Sequence, residues 1–152
     1  MVAPNSPTRL QTPMRFVLTI YLDPTMLRAL PAGESDAMMR DCLAHADELR
    51  QQGRLLDSQM LAEVPTAKTV RSRRGQVTVL DGPFAEAKEV LGGFNLIEAA
   101  DMAEALAIAA KFPWTRVGSV EVRPVQDFAA VRERVGAPCL PGAMADATSH
   151  FA

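Results

Sequence analysis

Cysteine, histidine and aromatic residues are all scarce in this 152-residue chain, and each shortage closes off a class of function. Two cysteines, Cys42 and Cys139, cannot build a disulfide framework, and their use fits a reducing, cytoplasmic setting. Two histidines, His45 and His150, leave no His-rich metal site, and neither a metal nor another cofactor is expected. Aromatics are 5% of residues, too few for a base-stacking platform. Sixteen Lys and Arg against eighteen Asp and Glu leave a net charge of −2, so direct nucleic-acid binding is not expected. No stretch approaches the roughly 18 consecutive apolar residues of a membrane span. The N-terminus lacks an apolar core segment and carries Pro4, Pro7 and Pro13, unlike a signal peptide. The sequence holds no G-x-G-x-x-G, P-loop, H-E-x-x-H, C-x-x-C or G-x-S-x-G pattern.

What is present suits one soluble domain. Hydrophobic residues are 48% and charged residues 22%, and a chain of this length buries a sizeable core. Residues 1–13 read as a loose N-terminal arm and 136–152 as a C-terminal tail, leaving 14–135 as the domain. Within it, Arg15 to Leu22 alternates as a strand, ended by Asp23-Pro24. Ser35 to Gln52 is a helix, with Ser35 as N-cap, Gly53 past its end, and Met38, Cys42, His45 and Leu49 in one stripe. Arg54 to Val64 reads as extended. Lys68 to Ser72 and Gln76 to Leu80 read as a hairpin. Phe84 to Leu91 reads as a short helical turn with Pro83 at its start and Gly92 at its end.

Gly93 to Ala99 is a strand, and Asp101 to Lys111 a second helix with Met102, Leu106, Ala109 and Ala110 inward. Val117 to Val125 is the last strand, and Asp127 to Val135 a short terminal helix. The order predicts an α+β fold: a ferredoxin-like split βαβ with an antiparallel sheet and an inserted hairpin. Both helices then cover one sheet face. The other, carrying Val17, Thr19, Tyr21, Ser119, Glu121 and Arg123, calls for a second copy, and a homodimer closed as a dimeric α+β barrel is expected.

Asp81-Gly82-Pro83-Phe84-Ala85-Glu86, followed by Lys88-Glu89 and Gly92-Gly93-Phe94, is distinctive, as is Glu121-Val122-Arg123-Pro124-Val125 after an alanine-rich helix. Together these segments resemble the YCII-related family, in the branch named for its Asp-Gly-Pro-Phe motif, over roughly Arg15 to Val125. The resemblance implies a dimeric α+β barrel of ferredoxin-like type. It also implies the company of extracytoplasmic-function sigma factors, near which some branch members are encoded or to which they are fused. The family has no settled activity. An acid–base role has been suggested for it from a His and Asp pair in a cleft, and Cys42 stands where that His falls.

Each candidate residue has a structural and a functional reading. Asp81 is either a turn carboxylate or a group at a cleft mouth, and with His45 it is a candidate for acid–base work. Glu86 and Lys88, with Glu89, are either a solvated face or pocket residues. Glu98, Glu121 and Arg123 sit where the second copy is expected. Glu121 and Arg123 form a plain ion pair or hold an anionic ligand. Tyr21 can reach the same cavity. His45 reads as a core histidine or a base, and Arg71, Arg73 and Arg74 as a solvated hairpin tip. Three functions remain: a regulatory dimer binding a small polar or anionic ligand, a lyase- or isomerase-like enzyme, or an interaction module for a sigma factor.

Overall fold

The computed structural model of the chain describes residues 13–138. The expected arm and tail, with Cys139 and His150, lie outside these residues except at their inner ends. The elements run β1 (Met14–Leu22), α1 (Pro24–Arg28), α2 (Glu34–Gln51), β2 (Leu55–Met60), β3 (Lys68–Arg73), β4 (Gln76–Asp81), β5 (Val90–Ala99), α3 (Met102–Ala110), β6 (Gly118–Pro124) and α4 (Phe128–Val135). β2, β5, β1 and β6 form one antiparallel sheet in that order. This is the α+β, ferredoxin-like arrangement of two β–helix–β units, with β3 and β4 inserted as a separate hairpin.

Alternation along the central strands decides which face the helices cover. Phe16, Leu18 and Ile20 of β1 and Asn95, Ile97 and Ala99 of β5 are buried on one side. Against them lie Met38, Ala46 and Leu49 of α2 and Ala105, Ile108 and Ala109 of α3. Phe112, Trp114 and Val117 close the end of this layer. Burying a side chain the size of Leu18 or Phe16 contributes about 1.5–3 kcal/mol. The one amide in the layer, Asn95, accepts the Ser58 hydroxyl at 2.6 Å, so its burial is compensated. Gly118 is required where β6 meets β1, because a Cβ there would stand 1.9 Å from the Tyr21 carbonyl oxygen.

Several local expectations are corrected. Asp23-Pro24 does not merely end β1. The Asp23 carboxylate caps α1, accepting from the Thr25 and Met26 N–H groups at 2.8 and 3.3 Å, with Pro24 in the first turn. The N-cap of α2 is Gly33, not Ser35, which lies inside the first turn. Residues 84–89 form no helix, and β5 begins at Val90. One turn there gains too few hydrogen bonds to offset nucleation, and Phe84 stays exposed with nothing to dock against. In α3 the buried stripe is Ala105, Ile108 and Ala109, while Met102, Leu106 and Ala110 face outward. A helix rich in alanine has no strong period to orient it, so the close approach to the sheet decided its rotation. The extended segment after Arg54 is short: β2 ends at Met60, and Val64–Thr66 form a 3-10 turn.

Candidate functional site

The sheet face opposite the helices gathers four of the eight candidate residues, Tyr21, Glu98, Glu121 and Arg123. Alternation puts Arg15, Val17, Thr19 and Tyr21 of β1 there, and register sets their neighbours. Arg15 lies beside Glu98. Val17 lies between Leu96 and Arg123, Thr19 between Phe94 and Glu121, and Tyr21 between Leu91 and Ser119. From β2, Asp57 pairs with Leu96 and Gln59 with Phe94. The face therefore has an apolar centre of Val17, Phe94 and Leu96, rimmed by charge of both signs.

Two ion pairs lie on it, Arg15 Nε to Glu98 Oε1 at 3.6 Å and Arg123 Nε to Glu121 Oε1 at 3.8 Å. Glu98 is partly buried and the other three side chains are exposed in one chain, where such pairs contribute about 0–1 kcal/mol. Among the described residues neither guanidinium meets a further acceptor. At the centre, the Thr19 Oγ1 is buried and is, among the described residues, the one buried side-chain polar atom without a hydrogen-bond partner. A hydroxyl left so costs about 1–3 kcal/mol.

Asp23 was not singled out from sequence, although Asp before Pro is a helix-start signal. It lies two residues past Tyr21 and is only 2% exposed. Lys88 reaches it from the loop after the hairpin, Nζ standing 3.6 Å from Oδ2. Burial works to raise this carboxyl, but the Thr25 and Met26 N–H groups and the Lys88 ammonium outweigh it and hold it below the usual range. Lys88 thus fastens the 82–89 loop to the end of β1.

The remaining candidates stand elsewhere. Asp81 takes the Lys68 ammonium across the base of the hairpin and is exposed. Gly82 beside it supplies the positive φ, +89°, and bonds through its N–H to the Ala67 carbonyl at 2.9 Å. Glu86 lies exposed in the loop. His45 is on the helix layer, behind the sheet. Its Nε2 is 3.2 Å from the Ile108 carbonyl, its Nδ1 is 3.8 Å from Glu48, and its ring meets Phe112 edge-on at 4.6 Å. It ties α2 to α3, in an environment separate from that of Asp81. Cys42 accepts the Trp114 indole N–H at 3.2 Å; burial pushes its thiol up, and the indole bond only partly offsets this.

The structure thus brings together Tyr21, Glu98, Glu121 and Arg123, adds Arg15 and Thr19, and sets His45, Asp81 and Glu86 apart. Among the described residues no helix is long and apolar enough to cross a membrane. A family model described as the YCII-related domain matches residues 14–129. An uncharacterized protein of Rhizobium meliloti (strain 1021) is 36% identical over 114 residues, which cover 74% of this chain and 92% of that protein.

Proposed function

The chain belongs to the YCII-related family, and from that premise we propose that it is a homodimer binding a small polar or anionic ligand between two facing sheets. It falls in the branch with the Asp81-Gly82-Pro83-Phe84 motif. The observation that carries the reading is the sheet face that no described element covers, where Arg15 and Arg123 flank an apolar centre. Once a second sheet excludes water, a guanidinium holds a carboxylate or phosphate far more strongly than in bulk. Glu98 and Glu121 keep the two arginines in place until the anion arrives. Tyr21 offers its hydroxyl from the end of the same face. His45 holds α2 to α3 rather than facing this chamber, which favours binding, and a regulatory role, over acid–base catalysis.

The test is light scattering followed by a thermal-shift screen. A mass near twice the 16.4 kDa of one chain is expected. Small carboxylates or inorganic phosphate at millimolar concentration are expected to raise Tm, and Arg123→Gln to abolish that rise while leaving the unliganded Tm near its original value. A monomer, or a dimer that answers to none of these anions, overturns the reading.

A further inference from the structure

The charges on the sheet face away from the helices come in opposite pairs, and neither pair is closed by a hydrogen bond. Arg123 Nε stands 3.8 Å from Glu121 Oε1, and Arg15 Nε stands 3.6 Å from Glu98 Oε1. Both gaps exceed the roughly 2.7–3.2 Å of a bonded N–H and oxygen. Each guanidinium therefore keeps donors to give, and each carboxylate keeps acceptors. Asp57, beside Leu96, adds a further acid, already taken up by the Ser58 N–H and the Gln59 amide at 2.7 and 2.9 Å. Among the described residues of this face the acids Glu98, Glu121 and Asp57 outnumber the bases Arg15 and Arg123.

We propose that the ligand of this face is a zwitterion, an amino acid with a branched apolar side chain, seated on the Arg123–Glu121 pair. The inference rests on the reading above and narrows its ligand class. Charge balance carries it. A bare anion drawn to Arg123 adds negative charge where acids already outnumber bases, and it competes with Glu121 for one guanidinium. Between two sheets that exclude water, a carboxylate displaced in this way is left without a counter-charge, which is strongly unfavourable. An ammonium on the same molecule meets that carboxylate, so both members of the pair are satisfied and the net charge of the face is unchanged. Geometry selects the amino-acid form. An α-amino acid carries its two charges on neighbouring atoms, so its head group lies across the pair, carboxylate on guanidinium and ammonium on carboxylate. Arg123 and Glu121 are the more exposed of the two pairs and so the more open to a ligand. Val17 lies across from Arg123 and Leu96 beyond Val17, each one strand spacing of about 4.8 Å further, with Phe94 alongside Leu96. A branched aliphatic side chain laid along that row rests on the apolar centre of the face.

The experiment titrates the full chain by calorimetry and thermal shift with three probes of one skeleton. These are leucine, 4-methylpentanoate, which lacks the amine, and 3-methylbutylamine, which lacks the carboxylate. Leucine is expected to bind at least ~10-fold more tightly than 4-methylpentanoate, and the amine alone to leave Tm unmoved. Glu121→Gln is expected to bring leucine down to the level of 4-methylpentanoate, because the ammonium loses its counter-charge while the guanidinium stays. Arg123→Gln is expected to abolish the response to both. Equal affinities for leucine and 4-methylpentanoate in the parent overturn this inference and leave the anion-binding reading standing. A preference for leucine that survives Glu121→Gln, or an amine as effective as leucine, overturns it as well. A parent that answers to leucine no more than to any carboxylate or to phosphate, and to none of them at millimolar concentration, overturns both.

Discussion

The Asp23 carboxylate caps α1 and faces the Lys88 ammonium at 3.6 Å, so one buried acid meets both a helix start and a loop distant in the chain. Its depressed pKa has a definite sign. The unfolded chain binds the Asp23 proton more readily than the folded one, so the stabilisation is complete above the unfolded value and is lost as pH falls through the folded one. Asp23→Asn keeps the cap and removes the charge. The slope of Tm against pH below about pH 5 is expected to flatten in that variant. Asp23→Ala, which loses the cap as well, is expected to lower Tm at pH 7 by on the order of 5 °C. An unchanged acid limb in Asp23→Asn refutes the assignment.

Gly118 separates backbone demand from side-chain demand. Gly118→Ala forces a Cβ against the Tyr21 carbonyl and should cost more than about 2 kcal/mol in urea unfolding, through displacement of β6 from β1. Gly33 has open space around its Cβ position, so Gly33→Asn, a residue tolerant of the left-handed region, is expected to cost well under about 1 kcal/mol. Equal losses at the two positions argue against the observed register.

His45 and Arg123 should answer differently to the same ligand. His45→Gln loosens the α2–α3 contact and lowers Tm, while the ligand-induced rise stays. Arg123→Gln does the reverse. A ligand response lost with His45 and kept without Arg123 moves the site to the helix layer.

The Cys42 thiol, raised by burial and bonded by Trp114, should resist modification. In a Cys139→Ser background at pH 8, a disulfide reagent is expected to label Cys42 at least ~100-fold more slowly in the folded protein than in urea, since only the exposed thiolate reacts quickly. Fast labelling of the native protein contradicts the packing seen.

Periodicity in the sequence was enough to order four strands and two helices and to put Tyr21, Glu121 and Arg123 on the sheet face away from the helices, while the face of Glu98 stayed open between the Asn95 and Phe94 rows of its strand. Period-two patterns such as Phe16-Leu18-Ile20 bind side chains to faces through backbone geometry alone. The distinctive Asp81-to-Phe94 segment pointed to the family for a different reason: it is a matter of residue identity. Tertiary structure decided what short windows leave degenerate. It turned alanine-rich α3 to bury Ile108 rather than Leu106, because only contact with the sheet distinguishes those faces. It denied residues 84–89 a helix, since the Phe84 side chain stays exposed and one turn gains too little to offset nucleation. It joined Asp23 to Lys88, a contact that depends on where two distant segments come to rest and leaves no trace in local spacing. His45 went to the helix layer for the same reason: its stripe was readable, but which element would receive it was a question of packing.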